Sequence, residues 1–143
     1  MPLAPTIIKL CRTYRAAAGA LLANLGLHPG QEVILLQLWR EDGQPLKTLA
    51  QSIGIQAPTA TKMLQRLEAS GIIERRASSS DGRSINAFLT PHGRALEPQV
   101  RAVLADLETR ITAGLSASDL ETLQSLLGRV LGNLHGHGDA PCD

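Results

Sequence analysis

Aromatic residues are nearly absent: Tyr14, Trp39 and Phe88 are the only ones in 143 residues, 2% of the chain. A core of packed rings is excluded, so packing must rest on aliphatic side chains, in a chain that is 43% hydrophobic. Cysteine is equally scarce. Cys11 and Cys142 stand near opposite ends, unlike the dense, even count of a secreted disulfide scaffold. Long apolar runs are missing too: the most apolar stretch, residues 16–23, holds eight residues, where a membrane span needs roughly 20. Residues 1–5 lack the basic start of a signal peptide, so a cytoplasmic location with no membrane partner is expected. What is present belongs to a folded chain. Charged residues make up 19%, mean hydropathy is +0.01, and the length suits a single domain over residues 1–143.

Net charge is only +1, yet it is unevenly spread. Residues 45–94 carry seven basic side chains (Lys47, Lys62, Arg66, Arg75, Arg76, Arg83 and Arg94) against Glu68, Glu74 and Asp81, a balance of +4. Residues 1–44 carry +1 and residues 95–143 carry −4. A basic middle between neutral and acidic flanks points to an anionic partner, of which phosphate is the commonest large one. The overall isoelectric point near 7.9 conceals this.

Apolar periodicity and punctuation predict mostly helix. Ile7, Leu10, Cys11, Tyr14, Ala18, Leu21 and Leu25 recur at three- and four-residue steps, placing a first helix over 6–26, closed by Gly26 and Pro29. A second, over 30–41, contains Val33, Ile34, Leu35, Leu36, Leu38 and Trp39 and is expected to be buried on most sides. Leu46, Leu49, Ala50 and Ile53 then fall at i, i+3, i+4 and i+7 between Pro45 and Gly54, a two-turn helix. The next helix has Pro58 in its first turn, an apolar stripe of Ala60, Leu64 and Leu67, and Gly71 as its stop. Two compact helices joined by a short turn at 54–57 have the spacing of a helix-turn-helix.

The polar face of that fourth helix carries Thr59, Lys62, Gln65 and Arg66, with Thr61 beside them and no acid. Hydroxyls at a helix start, followed a turn later by Lys, Gln and Arg, offer donors to phosphates and forked groups to base edges. Residues 72–76 read as a strand, 78–82 as a turn with the Asp-Gly signal at Asp81, and 84–89 as a returning strand. A basic hairpin carrying Arg75, Arg76, Asp81 and Arg83 thus follows the reading helix. Arg75 and Arg76 point to opposite faces of their strand, so one of them is expected to pack or pair internally.

Thr90 is placed to cap a further helix with Pro91 at its first position; Leu96, Val100, Val103, Leu104, Leu107 and Ile111 carry it to about residue 113, with a kink expected at Pro98. The last helix opens on Ser116-Ala117-Ser118-Asp119, close to a capping box, and runs on Leu120, Leu123, Leu126, Leu127, Val130, Leu131 and Leu134. Residues 136–143 are expected to form a flexible tail. The stripes on 6–26 and 96–135 exceed what a lobe over 30–95 can cover, and stripes of that size mark an interface, here with a second copy.

Helix, helix, helix-turn-helix, hairpin, long helix, long helix: in this order the chain resembles the MarR family of bacterial transcription regulators. The matching text lies between Leu27 and Leu96, namely Leu27-His28-Pro29-Gly30-Gln31, Leu49-Ala50, Thr59-Ala60-Thr61-Lys62-Met63-Leu64, Arg66-Leu67-Glu68, Gly71-Ile72-Ile73-Glu74-Arg75-Arg76, Asp81-Gly82-Arg83 and Leu89-Thr90-Pro91-His92-Gly93. The resemblance implies a mainly α fold with a small β-hairpin wing, a winged helix-turn-helix over 30–95 flanked by dimerisation helices at 6–26 and 96–135. It implies a homodimer on a double-stranded DNA operator that is an imperfect palindrome, with the recognition helix in a major groove and the wing in a minor groove, most often as a repressor. It implies that Asp81 orients Arg83 toward the minor groove, where negative potential concentrates. Gly82 departs from the second basic residue that many members carry. A small aromatic or phenolic effector is implied as well, between the dimer helices and the lobe, among the first two helices and the helix after Thr90. No cofactor is implied.

Other readings compete with this one. Cys11 raises a redox-sensing regulator, because one branch of the family detects organic peroxides with a lone cysteine early in the first helix. That cysteine would align near Ala4, and Cys11 falls on the apolar stripe, which predicts a buried, inert thiol. Cys142 on the tail is expected to be exposed. His135 and His137 lie on a glycine-rich tail and do not make the three or four convergent ligands of a metal site. Catalysis is not expected either, since the run Ser78-Ser79-Ser80 has no paired His and acid and no Gly-rich loop with a phosphate-binding Lys occurs. A winged-helix adaptor that uses the same helix and wing for protein contacts is the remaining alternative, separable from DNA binding by salt dependence.

Overall fold

A computed structural model describes residues 1–78 and 83–136. Its elements in chain order are α1 (Ala4–Ala23), α2 (Gln31–Arg40), β1 (Gln44–Pro45), α3 (Leu46–Ile53), α4 (Ala57–Ala69), β2 (Ile73–Ala77), β3 (Ile85–Leu89), α5 (Pro91–Ala95), α6 (Glu97–Thr112) and α7 (Ala117–His135). The fold is therefore mainly α with a small antiparallel sheet. The chain divides into two units, Met1–Leu107 and Glu108–Asp143.

In the first unit the aliphatic stripes converge. Leu22 of α1, Ile34, Leu35 and Leu38 of α2, Leu49 of α3, Leu64 and Leu67 of α4, Ile73 of β2 and Val100 of α6 are fully buried in one cluster. Each such burial contributes about 1.5 to 3 kcal/mol before conformational entropy is counted. The buried Gln44 has partners: its Nε2 donates to the carbonyls of Gln37 at 2.8 Å and Glu41 at 2.7 Å, which satisfies the C-terminal end of α2. At its other end Glu32 accepts from the Gly30 amide at 2.7 Å and Gln31 from the His28 amide at 2.9 Å.

The sheet runs β1-β3-β2, with Gln44 opposite Ala87, and with Ile73 opposite Leu89 through to Ala77 opposite Ile85. The Ser78 amide donates to the Ser84 carbonyl at 2.8 Å and continues the hairpin beyond the strands. The turn expected at Asp81 lies outside the described residues. Thr90 caps α5, accepting from the Gly93 amide at 3.1 Å and donating to the Gly71 carbonyl at 2.6 Å. A side chain at Gly93 would collide with the Ile72 carbonyl oxygen, so this close approach of α5 to the start of β2 requires glycine. Trp39 Nε1 donates to the Gly93 carbonyl at 3.1 Å and fastens α2 to the same point.

One element was not foreseen and two expectations are corrected. β1 was not foreseen, because two residues, one of them a proline, carry no periodicity. The helix expected over 90–113 is two helices, α5 and α6, parted at Leu96, two residues before the kink expected at Pro98. Pro98 has no amide for the Arg94 carbonyl, and its ring crowds the turn before it. α2 is buried on most sides as expected, with only Val33 and Arg40 exposed. Cys11 is exposed instead of buried. Only the C-terminal half of α1, through Ala18 and Leu22, enters the core, and Ile8, Leu10 and Tyr14 are exposed along with Cys11.

The second unit is described by α7 and the end of α6. Ser116 and Asp119 form a full capping box: the Asp119 amide donates to Ser116 Oγ at 3.1 Å and the Ser116 amide to Asp119 Oδ2 at 2.9 Å. These bonds hold the Asp119 carboxyl below its ordinary value. No residue of α7 is buried, and Leu123, Leu126, Leu127, Leu131 and Leu134 are between 40% and 65% exposed. Most of the expected tail, including His137 and Cys142, lies outside the described residues. Among the described residues no helix is long and apolar enough to cross a membrane, and no His, Cys, Asp and Glu cluster could hold a metal.

Candidate nucleic-acid interface

The helix-turn-helix is α3, a turn in which Gly54 adopts φ +69°, and α4. The Ile55 amide donates to the Ala50 carbonyl at 3.1 Å, which ends α3 sharply and lets α4 begin after three intervening residues. Ala60, Leu64 and Leu67 drive one face of α4 into the core, and the opposite face follows from helical geometry. On it Thr59, Lys62, Gln65 and Arg66 are exposed together. Thr61 is half-buried at the margin, and its hydroxyl donates to the Ala57 carbonyl at 2.9 Å.

Charge on this side of the lobe is only partly neutralised. Arg75 is bound to Glu68, Arg76 to Glu74, and Arg94 to Asp42 at 3.1 Å, whereas Lys47, Lys62 and Arg66 have no ion pair among the described residues. The two strand arginines differ. Arg75, with its side chain 27% exposed, makes a forked pair with Glu68, whose carboxyl these hydrogen bonds hold below its usual range. Arg76 is more exposed, at 55%; it pairs with Glu74 at 3.2 Å and lays its guanidinium 4.5 Å from the centroid of the Phe88 ring. Arg75 is the one that pairs internally, as expected of one of the two; the exposed pair of Arg76 with Glu74 was not foreseen.

Two clefts border α4. One, of about 450 Å³, is lined by Pro45, Leu46, Lys47, Ala57, Arg83, Ser84 and Ile85, so Arg83 shares a wall with Lys47 and the start of α4. The other, of about 410 Å³, is lined by Lys62, Met63, Arg66 and Thr59 of α4, by Arg15 of α1, by residues 28–31 and by Ile55. The structure thus brings together the α4 residues on one face and Arg83 beside its N-terminus, and sets Arg75 and Arg76 into ion pairs. Asp81 lies outside the described residues. Lys47, Arg15 and His28 were missed as neighbours of this face. Lys47 was visible only as one charge in a basic segment, and nothing in the local spacing of α1 marks Arg15.

With this geometry established, known proteins supply the decisive comparison. The family model described as MarR family matches residues 27–85. The chain is 30% identical over 129 residues to the HTH-type transcriptional repressor Mb2911 of Mycobacterium bovis (strain ATCC BAA-935 / AF2122/97), an alignment covering 90% of this chain and 93% of that protein. The chain belongs to the MarR family. A second relative, the HTH-type transcriptional regulator TtmR of Methylorubrum extorquens (strain PA1), is 32% identical over 129 residues, or 85% of this chain; the match spans only 64% of TtmR. Among solved structures, reduced AbfR bound to DNA superposes with a TM-score of 0.74 at 26% identity, covering 92% of this chain and 90% of AbfR. MarR-family proteins are transcription regulators and not enzymes, in keeping with a site built from hydrogen-bond donors.

Proposed function

We propose that this protein is a cytoplasmic, sequence-specific duplex-DNA-binding regulator, acting as a homodimeric repressor. The observation that carries the reading is the α4 face of Thr59, Lys62, Gln65 and Arg66, exposed and without acid, on a helix whose other face is locked in the core. A rigid helix with unneutralised Lys and Arg on one side suits a major groove, where forked donors meet guanine and phosphates set the register. Arg83, beside the α4 N-terminus, suits the adjacent minor groove, with Asp81 as its orienting partner. Lys47 extends the phosphate-facing surface, and Thr61 lends the lone pairs of a hydroxyl whose proton stays on its own helix. Support for two copies comes from α7, whose Leu123, Leu126, Leu127, Leu131 and Leu134 are exposed, and from Ile8, Leu10 and Tyr14 on α1.

A small aromatic or phenolic anion is the proposed effector. The cleft that fits it is lined by α1, the turn before α2 and α4, not by the helix after Thr90. Its volume of about 410 Å³ admits a ring compound, Pro29, Ile55 and Met63 offer apolar walls, and Arg15, His28, Lys62 and Arg66 offer donors. An anion bound there would engage the same Lys62 and Arg66 that face DNA.

Selection from a random duplex library tests the reading. The expected outcome is an imperfect palindrome with half-site centres about 10 bp, one helical turn, apart, bound with steep salt dependence. Recovery of no common sequence, with binding indifferent to salt, would contradict it and favour the adaptor.

A further inference from the structure

Glu68, in the last turn of α4, and Arg75, in the middle of β2, are joined by three hydrogen bonds. The Glu68 carboxylate accepts from the Arg75 backbone amide at 3.1 Å, from Nε at 3.2 Å and from Nη2 at 3.1 Å. We propose that this pair is a clamp that fixes the angle between the reading helix and the wing, so that Arg75 serves DNA binding by positioning and not by touching DNA. The inference rests on the DNA-binding function proposed above.

Three features carry it. β2 is an edge strand in the order β1-β3-β2, so its outer amides have no strand partner, and the Arg75 amide is taken instead by a side chain from α4. That bond holds the strand itself, while the guanidinium fork fixes the direction of approach, because two parallel N–H groups meet two carboxylate oxygens. The covalent link between the two elements is only residues 70–72, and it passes through Gly71 at φ +72°. The link itself is held by Thr90, whose hydroxyl donates to the Gly71 carbonyl at 2.6 Å and whose amide donates to the Ile72 carbonyl at 3.0 Å; the clamp adds a side-chain tie directly from α4 to β2, two residues before the link and two residues beyond the start of the strand. Arg76 provides the contrast. Its partner Glu74 lies two residues away on the same strand, so that pair joins nothing across elements.

The test uses the full chain and a duplex recovered by selection, with Glu68→Gln, Arg75→Lys and, as control, Glu74→Gln. Glu68→Gln keeps the shape of the side chain but turns an acceptor into a donor toward the fork; Arg75→Lys keeps the charge and loses the fork. Both are expected to lower duplex affinity about tenfold while leaving the slope of log affinity against log salt unchanged, because no phosphate contact is removed. Glu74→Gln is expected to bind at least as tightly as wild type. Were Arg75 itself a phosphate contact, freeing it by Glu68→Gln would tighten binding and Arg75→Lys would retain it. Either result overturns the clamp. Exchange of the Arg75 amide, followed by NMR without DNA, reads the clamp separately: slow in wild type and fast in Glu68→Gln is the expected pattern, and fast exchange in wild type overturns it. Failure of wild type to bind any duplex removes the DNA reading, and the Arg75 amide then decides the clamp alone.

Discussion

The winged lobe and the last helix are built from the same aliphatic alphabet and differ in what that alphabet covers. In the lobe, every element from α2 to β3 except β1 contributes a buried apolar side chain, and the polar face of α4 is what remains outside. In α7 the stripe from Leu123 to Leu134 is as regular, its capping box is complete, and nothing is buried. A good stripe and good caps specify a helix; they do not supply the surface it packs on. The lobe, completed by Leu22 of α1 and Val100 of α6, has a core of its own, and α7 is the element on which the proposal of a second copy rests.

This contrast can be broken most forcefully inside the lobe. Leu64→Ala empties a fully buried site on α4 and should cost about 2 to 5 kcal/mol in urea denaturation. Leu127→Glu combined with Leu131→Glu, on α7, should act differently: both sites are at least 41% exposed, so the lobe keeps its core and the mass by light scattering falls from twice 15.2 kDa to 15.2 kDa. An unchanged mass would remove α7 from the interface. Ser116→Ala, which deletes one half of the α7 capping box, should lower stability by about 1 kcal/mol, read as a shift of the urea midpoint.

The smallest effect is one of pH. Hydrogen bonds from Arg75 hold Glu68 below its ordinary value. A carboxyl whose folded pKa is depressed contributes stability that is complete above the unfolded pKa and is lost as pH falls through the folded one. The urea midpoints of wild type and Glu68→Gln should therefore differ at neutral pH and converge on acidification through and below the carboxylate range. A gap that stays constant with pH would show that charge on Glu68 does not contribute.

Much of this architecture is legible in the sequence, and the exceptions have physical reasons. Stops at Gly54 and Gly71 and stripes at Leu49, Ala50, Ala60, Leu64 and Leu67 locate α3 and α4 closely, because each stripe has one solution that buries it. The polar face of α4 follows by subtraction. What local pattern cannot carry is which surface meets which: the exposure of Cys11 depends on how far along α1 the core extends, and the approach of Arg15 to Lys62 and Arg66 depends on tertiary packing. The pairing of Arg75 with Glu68 was half visible, since strand alternation separates Arg75 from Arg76, but the partner lies on another element. The parting of α5 from α6 at Leu96 falls a half-turn before the kink expected at Pro98, and is a full break and not a kink.

Fluorescence anisotropy of a selected duplex with Lys62→Ala and Arg66→Ala tests the central claim most directly. Both residues stand exposed on the face of α4 opposite its buried stripe. Each variant should keep its fold and its mass and lose about 1 to 3 kcal/mol of specific binding, with discrimination relaxed at the contacted base. If both folded variants bind that duplex as tightly and as selectively as wild type, α4 is not the reading helix and the assignment of this face to DNA is wrong.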